Sequence, residues 1–346
     1  MSSYSGNNLQ LRLSYWILLP VISAMVLGSF IRTGIDGYER AMFSEMIDGT
    51  AHKPFVYRAL IPLAVKSITY AIPDNIEALI DKWGYEKINF VKKREGVRLT
   101  EISIVLFFSY LSIMGFAWSL HILGKHFYNF KEITGYIISL TAVAGIPVFF
   151  QYYSYMYDLP QLFLFTLSLY YLAKERWSYF LALFTITTIN KETSILLILI
   201  FFIHYRQILP ISEFRKLLAL QFSIFAIIKL TLTSLFWENN GTFVEFHLKH
   251  NLFLAPFTIS QFVSFILIGI GLSYAWNNKP KFLRNSLFIL IPLLGLTFFL
   301  GLLDEYRDYY ESYPIIVLLI YPSIHSLFNN SSGLMKNLPE TLRKAV

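Results

Sequence analysis

Nearly all the side chains that could do chemistry lie in five polar segments, of which the first two share one long loop and the others are separated by apolar runs. The first segment contains Asp36 within Ile35-Asp36-Gly37-Tyr38-Glu39. Asp36 either caps a helix or takes part in a site. After it, apolar residues at helical spacing over 42–47, followed by Gly49, predict an amphipathic helix that lies on a membrane surface.

Arg58 follows Tyr57 in a stretch that Pro54 and Pro62 bracket. An arginine at a membrane surface either holds a phosphate through paired hydrogen bonds or reaches to lipid headgroups. The two prolines indicate a shaped segment rather than a plain helix, which favours a functional role.

Four tyrosines precede Asp158, and Pro160 follows it. An aspartate just before a proline is typical of a helix start. The structural interpretation is an interfacial aromatic belt with a cap. The alternative is a sugar site, in which flat rings stack on C–H faces and the carboxylate accepts hydroxyl protons.

The two remaining segments are Asn190-Lys191-Glu192-Thr193, between two short apolar runs, and 304–314 before the last run. Polar groups near membrane depth are costly unless they are paired or face a cavity. Lys191 and Glu192 can pair with each other, or reach Asp36 or a bound phosphate. Four acids and one arginine stand within 304–311, among them Glu305 and Arg307.

Two weaker features receive no role. Glu245, His247 and His250 have a spacing compatible with a metal site, but two histidines in one loop are weak grounds for one. Lys229 stands within an apolar run, where it either pairs with an acid or reaches toward the surface.

The composition predicts that lipid covers much of this chain. Of its 346 residues 55% are hydrophobic and only 15% charged, against about 25% charged in soluble domains. The absence of cysteine excludes disulfides and thiolate chemistry. The net charge of +7 comes with basic residues at the ends of apolar runs, which indicates membrane topology rather than nucleic-acid binding.

We predict an all-α, polytopic transmembrane bundle of about ten spans forming one domain over 1–346. The apolar runs are 13–31, 101–123, 133–150, 159–174, 177–189, 194–205, 216–236, 257–276, 285–303 and 313–328. The first is read as a retained anchor rather than a signal peptide. The two runs within 177–205 are short for a crossing, so they form either two helices that meet at a break inside the protein or a hairpin that does not fully cross.

Fourteen of the 29 basic residues alternate onto one side of this arrangement, which the positive-inside rule makes cytoplasmic. Both termini, with the tail 329–346, then lie in the cytoplasm, and the five polar segments lie outside. The first outer loop, 32–100, is also basic, but long loops translocate largely regardless of charge. A competing arrangement makes 55–72 a span and inverts every later loop.

The layout of a first span, a long outer loop with an acid and a surface helix, many further spans and an acidic last outer loop resembles the GT-C class of bacterial integral-membrane glycosyltransferases. The residues that carry the resemblance are Ile35-Asp36-Gly37-Tyr38-Glu39, Pro54-Phe55-Val56-Tyr57-Arg58, Tyr157-Asp158-Leu159-Pro160 and Asn190-Lys191-Glu192-Thr193. The resemblance implies a polyprenyl-phosphate sugar donor and a catalytic base in the first outer loop, which here is Asp36.

The hypothesis that follows is sugar transfer to a cell-envelope glycan or lipid acceptor at the outer face of the inner (plasma) membrane. Nucleic acid is not expected as a partner. Asp36 is the base, with Glu39 in reserve. Arg58, Lys191 and Arg307 stabilise the leaving phosphate. Asp158, Glu192 and Glu305 orient these cations or bind sugar hydroxyls. Tyr57 is also predicted to contact the phosphate or the sugar.

No metal ligand is assigned, because the chain has no clean Asp-Xaa-Asp pair, although a divalent cation, Mg²⁺ or Mn²⁺, stays open. The alternatives are a lipid-linked polysaccharide polymerase or ligase, and a polytopic transporter or flippase. The sequence has no GxxxxGK[ST], GxSxG or HExxH motif, so nothing in it points to ATP-driven transport or to the usual serine and zinc hydrolases.

Overall fold

The structure is a computed structural model that describes residues 3–33, 35, 37–87, 98–253 and 258–328. Over these residues it is all-helical, with two isolated β-bridges and no strand. The α-helices are α1 (Ser3–Arg32), α2 (Phe43–Asp48), α3 (Leu60–Tyr70), α4 (Asp74–Lys87), α5 (Leu99–Phe127), α6 (Glu132–Gly145), α7 (Asp158–Ala173), α8 (Trp177–Asn190), α9 (Ile195–Tyr205), α10 (Ile211–Leu235), α11 (Leu248–Phe253), α12 (Ile259–Ser273), α13 (Lys281–Ser286), α14 (Leu290–Leu300) and α15 (Tyr313–Phe328).

Five helical stretches in the described part of the chain are long and apolar enough to cross a membrane. They are Leu9–Arg32, Leu99–Phe127, Glu132–Phe149, Ile211–Leu235 and Lys281–Leu300. The ten predicted apolar runs all coincide with helix, but the other five lie in helices of at most 16 residues. The structure is therefore that of an all-helical protein with several candidate spans over the described residues. The ten crossings remain a prediction.

Helix α7 forms the centre of the bundle. It has 16 residues, which is about 24 Å of helix, and most of them are buried. Leu162, Phe165 and Leu169 lie in the main hydrophobic core with side chains of α5 and α8. An apolar helix this short is typical of a protein core rather than of a lipid-facing span.

Helices α8 and α9 form a hairpin. The ring of Trp177, at the start of α8, lies 5.2 Å from that of Tyr205, at the end of α9. Between the helices Lys191 is extended, and Glu192–Ser194 make one 3-10 turn. Asn190 Nδ2, at the end of α8, donates to the Tyr157 carbonyl oxygen at 3.0 Å. The tip of the hairpin therefore lies at the same end of the bundle as Asp158, the first residue of α7.

Helix α2 is present and ends at Gly49, whose φ of 78° is the left-handed conformation expected of a C-terminal cap. Its predicted position on a membrane surface is wrong, however. Phe43, Met46 and Ile47 are each at most 3% exposed and pack in a cluster with residues of α3 and α5. The apolar face of α2 is covered by protein, so it has no face left for lipid.

Over 55–72, the extra span of the competing arrangement, the structure has no helix long enough to be a candidate span. Residues Phe55–Tyr57 make a 3-10 turn, and α3 has only 11 residues, about 16 Å. Such a helix is too short to cross a hydrocarbon core of about 30 Å.

Two backbone bridges tie the connections together at this end of the bundle. Ile35 pairs with Ser154, and Lys53 pairs with Gly241. Gly241 has a φ of 96°, and a Cβ there would stand 2.6 Å from the Lys53 carbonyl oxygen. Only glycine fits this close approach.

Candidate functional site

Residues from all five polar segments line one cavity of about 470 Å³. The seven residues predicted to bind phosphate or sugar are all in its wall: Tyr57, Arg58, Asp158, Lys191, Glu192, Glu305 and Arg307. The segments meet because α7 and the α8–α9 hairpin bring Asp158 and Lys191 to the same end of the bundle. The bridges from Ile35 and Lys53 hold the first connection against the later ones.

Arg58 forms a two-point ion pair with Glu192. Its Nη2 donates to Glu192 Oε1 at 2.7 Å and its Nε to Oε2 at 3.4 Å. A third N–H donates to the Tyr157 hydroxyl, and the guanidinium lies 4.3 Å from the centre of the Tyr157 ring. Burial raises the pKa of the Glu192 carboxyl, but the Arg58 charge outweighs it and holds that pKa well below its usual range.

Arg307 connects two acids. Its Nη2 lies 2.7 Å from Glu305 Oε1, and its Nη1 lies 3.7 Å from Asp158 Oδ2. Its guanidinium also stacks over Tyr155 at 4.0 Å. Burial raises the pKa of Glu305 to about 7, although the Arg307 charge acts in the opposite direction, and burial likewise raises the pKa of Asp158.

Lys191 forms ion pairs with two acids other than Glu192, whereas Asp36, another partner proposed from the sequence, lies outside the described residues. Its Nζ lies 3.9 Å from Asp158 Oδ1 and 4.0 Å from Glu311 Oε1, too far for hydrogen bonds but close enough for ion pairs. All three side chains are at most 6% exposed. Lys191 therefore joins the start of α7 to the segment before α15.

Glu311 is the main residue that the sequence analysis missed. Its side chain is fully buried and accepts hydrogen bonds from the Thr193 hydroxyl and from Gln161 Nε2, the latter at 3.3 Å. A signal for it existed: like Asp158, Glu311 is an acid a few residues before a proline at the head of an apolar run. Asp158 Oδ1 and Glu311 Oε2 are both buried without a hydrogen-bond partner.

One wall of the cavity is aromatic. Phe55 stacks on Tyr155 with ring centres 5.7 Å apart, and Tyr155 stacks on Tyr157 at 5.4 Å. Tyr38 adds an edge contact to Phe55 at 5.5 Å, and Tyr57 stacks on Phe243 at 6.3 Å. Stacked rings of this kind offer flat, weakly polar faces to a ligand.

Neither of the two candidate bases, Asp36 and Glu39, is among the described residues that line the cavity. Asp36 lies outside the described residues. Glu39 opens a 3-10 turn, is exposed, and is not among the residues that line the cavity, whereas its neighbour Tyr38 is.

The loop with a metal-like spacing does not form one cluster. Glu245 pairs with Arg40 at 2.7 Å and lies 3.6 Å from His247, while His250 faces Asp304 at 3.7 Å. Among the residues described, no group of three or more His, Cys, Asp or Glu side chains could hold a metal ion.

The cavity thus combines Arg58, Lys191 and Arg307, each beside a carboxylate, with a wall of aromatic rings. An anionic ligand can take the place of a carboxylate beside Arg58, Lys191 or Arg307, and the rings can pack against its less polar part. Comparisons with protein-family models, with characterised proteins and with solved structures find no match to this chain.

Proposed function

We propose that this protein is a membrane glycosyltransferase that moves a sugar from a polyprenyl-phosphate donor to a glycan or lipid acceptor. The observation that carries the proposal is the meeting of Arg58, Lys191 and Arg307 in one cavity with stacked tyrosines, although these cations come from distant parts of the chain. Such a cavity suits a ligand with a phosphate at one end and a sugar at the other.

The reaction places charge where these cations lie. As the bond from sugar to phosphate breaks, negative charge grows on the leaving phosphate, and fixed cations stabilise it. Glu192, Asp158 and Glu305 keep the cations oriented until substrate binds. Asp36, assigned from the sequence, accepts the proton of the attacking hydroxyl.

The membrane arrangement in this proposal is the predicted one, with ten crossings and both termini in the cytoplasm. The cavity then opens at the outer face, where the aromatic wall meets the sugar. Grouping the charged residues at one end of the bundle, rather than along a path through it, favours an enzyme over a transporter.

The test uses the purified full chain in liposomes with polyprenyl-phosphate donors carrying different radiolabelled sugars. We expect label to move to an added acceptor, with release of an equal amount of polyprenyl phosphate. Arg307→Gln should abolish transfer, whereas Arg215→Gln, an exposed position near the start of α10, should not. Label that crosses the bilayer still attached to its lipid would instead identify a flippase, and label built into long chains a polymerase.

A further inference from the structure

Lys229 has no task in the mechanism above, yet its position calls for one. It lies within α10, in a candidate membrane span, six residues before the helix ends at Leu235. That places it about 9 Å below the end of the helix. Its Nζ is buried without a hydrogen-bond partner, and the side chain lines the cavity. A buried ammonium without hydrogen bonds is costly, so a ligand that supplies acceptors would bind it strongly.

The acid that interacts electrostatically with Lys229 is Glu192, and it already has another partner. Glu192 feels the charges of both Lys229 and Arg58, but both its oxygens accept hydrogen bonds from Arg58. Glu192 is thus held by Arg58, and Lys229 Nζ stays without a hydrogen-bond acceptor, which a ligand could supply.

Another part of the cavity wall is apolar. Leu293, Leu296 and Leu300 of α14 line it. Leu296 is also 48% exposed, although it lies in a candidate span. A cavity-lining leucine that is this exposed gives the cavity an opening along α14, which the proposed membrane arrangement places against lipid.

We propose that Lys229 binds the phosphate of a lipid-linked phosphate, and that the apolar chain of this lipid leaves the cavity along α14. The inference rests on the proposed function and deepens it, because it assigns the phosphate to Lys229 with Arg58 and the chain to the leucine wall. A free phosphate would make no contact with the leucines. A lipid phosphate would accept hydrogen bonds from the Lys229 amine and cover the leucines with its apolar chain.

The experiment measures binding of tritiated farnesyl phosphate to the purified protein in detergent. Lys229→Gln should weaken binding at least about tenfold, since a charge-assisted hydrogen bond is lost. Lys229→Arg should stay close to the parent protein because it keeps the charge. Lys216→Gln, an exposed change in the same helix near its other end, should have no effect. Equal affinity in Lys229→Gln and the parent would overturn the assignment.

A second set of measurements separates the two halves of the ligand. Leu296→Trp should weaken farnesyl phosphate and leave inorganic phosphate unchanged. If inorganic phosphate competes as well as farnesyl phosphate does, the site binds free anions and the lipid assignment is wrong. Should Lys229→Gln fail to fold by size-exclusion chromatography, Lys229→Met replaces it, because an apolar side chain fits this helix. Farnesyl phosphate binding without sugar transfer would reject the glycosyltransferase and keep the lipid-phosphate site.

Discussion

Arg58 and Glu192 are 134 positions apart in the chain, yet they share two hydrogen bonds, with Nη2 2.7 Å from Oε1 and Nε 3.4 Å from Oε2. The pair fastens the 3-10 turn before α3 to the tip of the α8–α9 hairpin. The Arg58 side chain is 13% exposed and that of Glu192 is 40% exposed. This pair is therefore partly shielded from water, so its energy should exceed that of a surface pair.

A double-mutant cycle tests this expectation. Arg58→Gln should lower the free energy of unfolding by about 2 kcal/mol, because it leaves Glu192 without its partner. Adding Glu192→Gln should recover part of the loss, and we expect a coupling energy of about 1 kcal/mol. Unfolding in detergent with increasing denaturant supplies the four values.

The matched control is the pair of Arg40 and Glu245, whose charged atoms are also 2.7 Å apart. The Arg40 side chain is 56% exposed, so its coupling energy should not exceed about 0.5 kcal/mol. Similar values for the two pairs would show that burial adds nothing to the pair at the cavity.

Replacing Asp36 by Asn should abolish sugar transfer and leave expression and folding intact, since the amide keeps the size of the side chain but cannot accept the proton. The liposome transfer assay measures the first effect and size-exclusion chromatography the second. Full transfer in Asp36→Asn would remove this residue as the base, and Glu39→Gln, assayed in parallel, would show whether Glu39 takes that role.

Stability should depend on pH through Glu305. Its pKa is raised from 4.5 in the unfolded chain to about 7 by burial. The folded protein therefore holds the proton more tightly, so this group stabilises the fold below pH 4.5 and loses that contribution as pH rises through 7. The loss is about 3 kcal/mol at most.

Thermal unfolding in detergent between pH 5 and 8 measures this effect. We expect the unfolding temperature of the parent protein to fall with rising pH, and Glu305→Gln to make the curve flatter. Glu238→Gln, at an exposed position in the connection after α10, should leave the slope unchanged. An identical slope in Glu305→Gln and the parent would assign the dependence to other groups.

Gly135 should be the sensitive glycine of the α5–α6 contact. A Cβ there would meet Phe130 at 2.6 Å and His121 at 2.7 Å, so rings must move. Gly135→Ala should cost about 1–3 kcal/mol. Gly269 in α12 has nothing within 4 Å of its Cβ position, so Gly269→Ala should be neutral or stabilising. The ranking is read from unfolding temperatures, and equal temperatures would contradict it.

In this chain, short sequence signals for helix ends predict the local structure correctly at two positions. Asp158 before Pro160 predicts a helix start, and α7 begins there. Gly49 predicts a helix end, and it has the left-handed conformation. Both features depend on neighbours in the chain, which the sequence places directly side by side.

The ion-pair partners of a side chain, and what covers an apolar helix face, are harder to predict from the sequence. Spacing gave no sign that Lys191 would face Asp158 and Glu311, since those distances depend on how α7, the hairpin and the last connection pack. The helical spacing over 42–47 likewise predicts α2 but not what covers it, because lipid and a protein core accept the same apolar side chains.

The bridge between Lys53 and Gly241 gives a practical means of recognising relatives. Any side chain at position 241 would collide with the opposite backbone and open the bridge. A distant sequence with glycine at the equivalent point, six residues beyond the end of the helix that corresponds to α10, would therefore keep this loop in place. One with a bulkier residue there would have to build the rim of its cavity by other means.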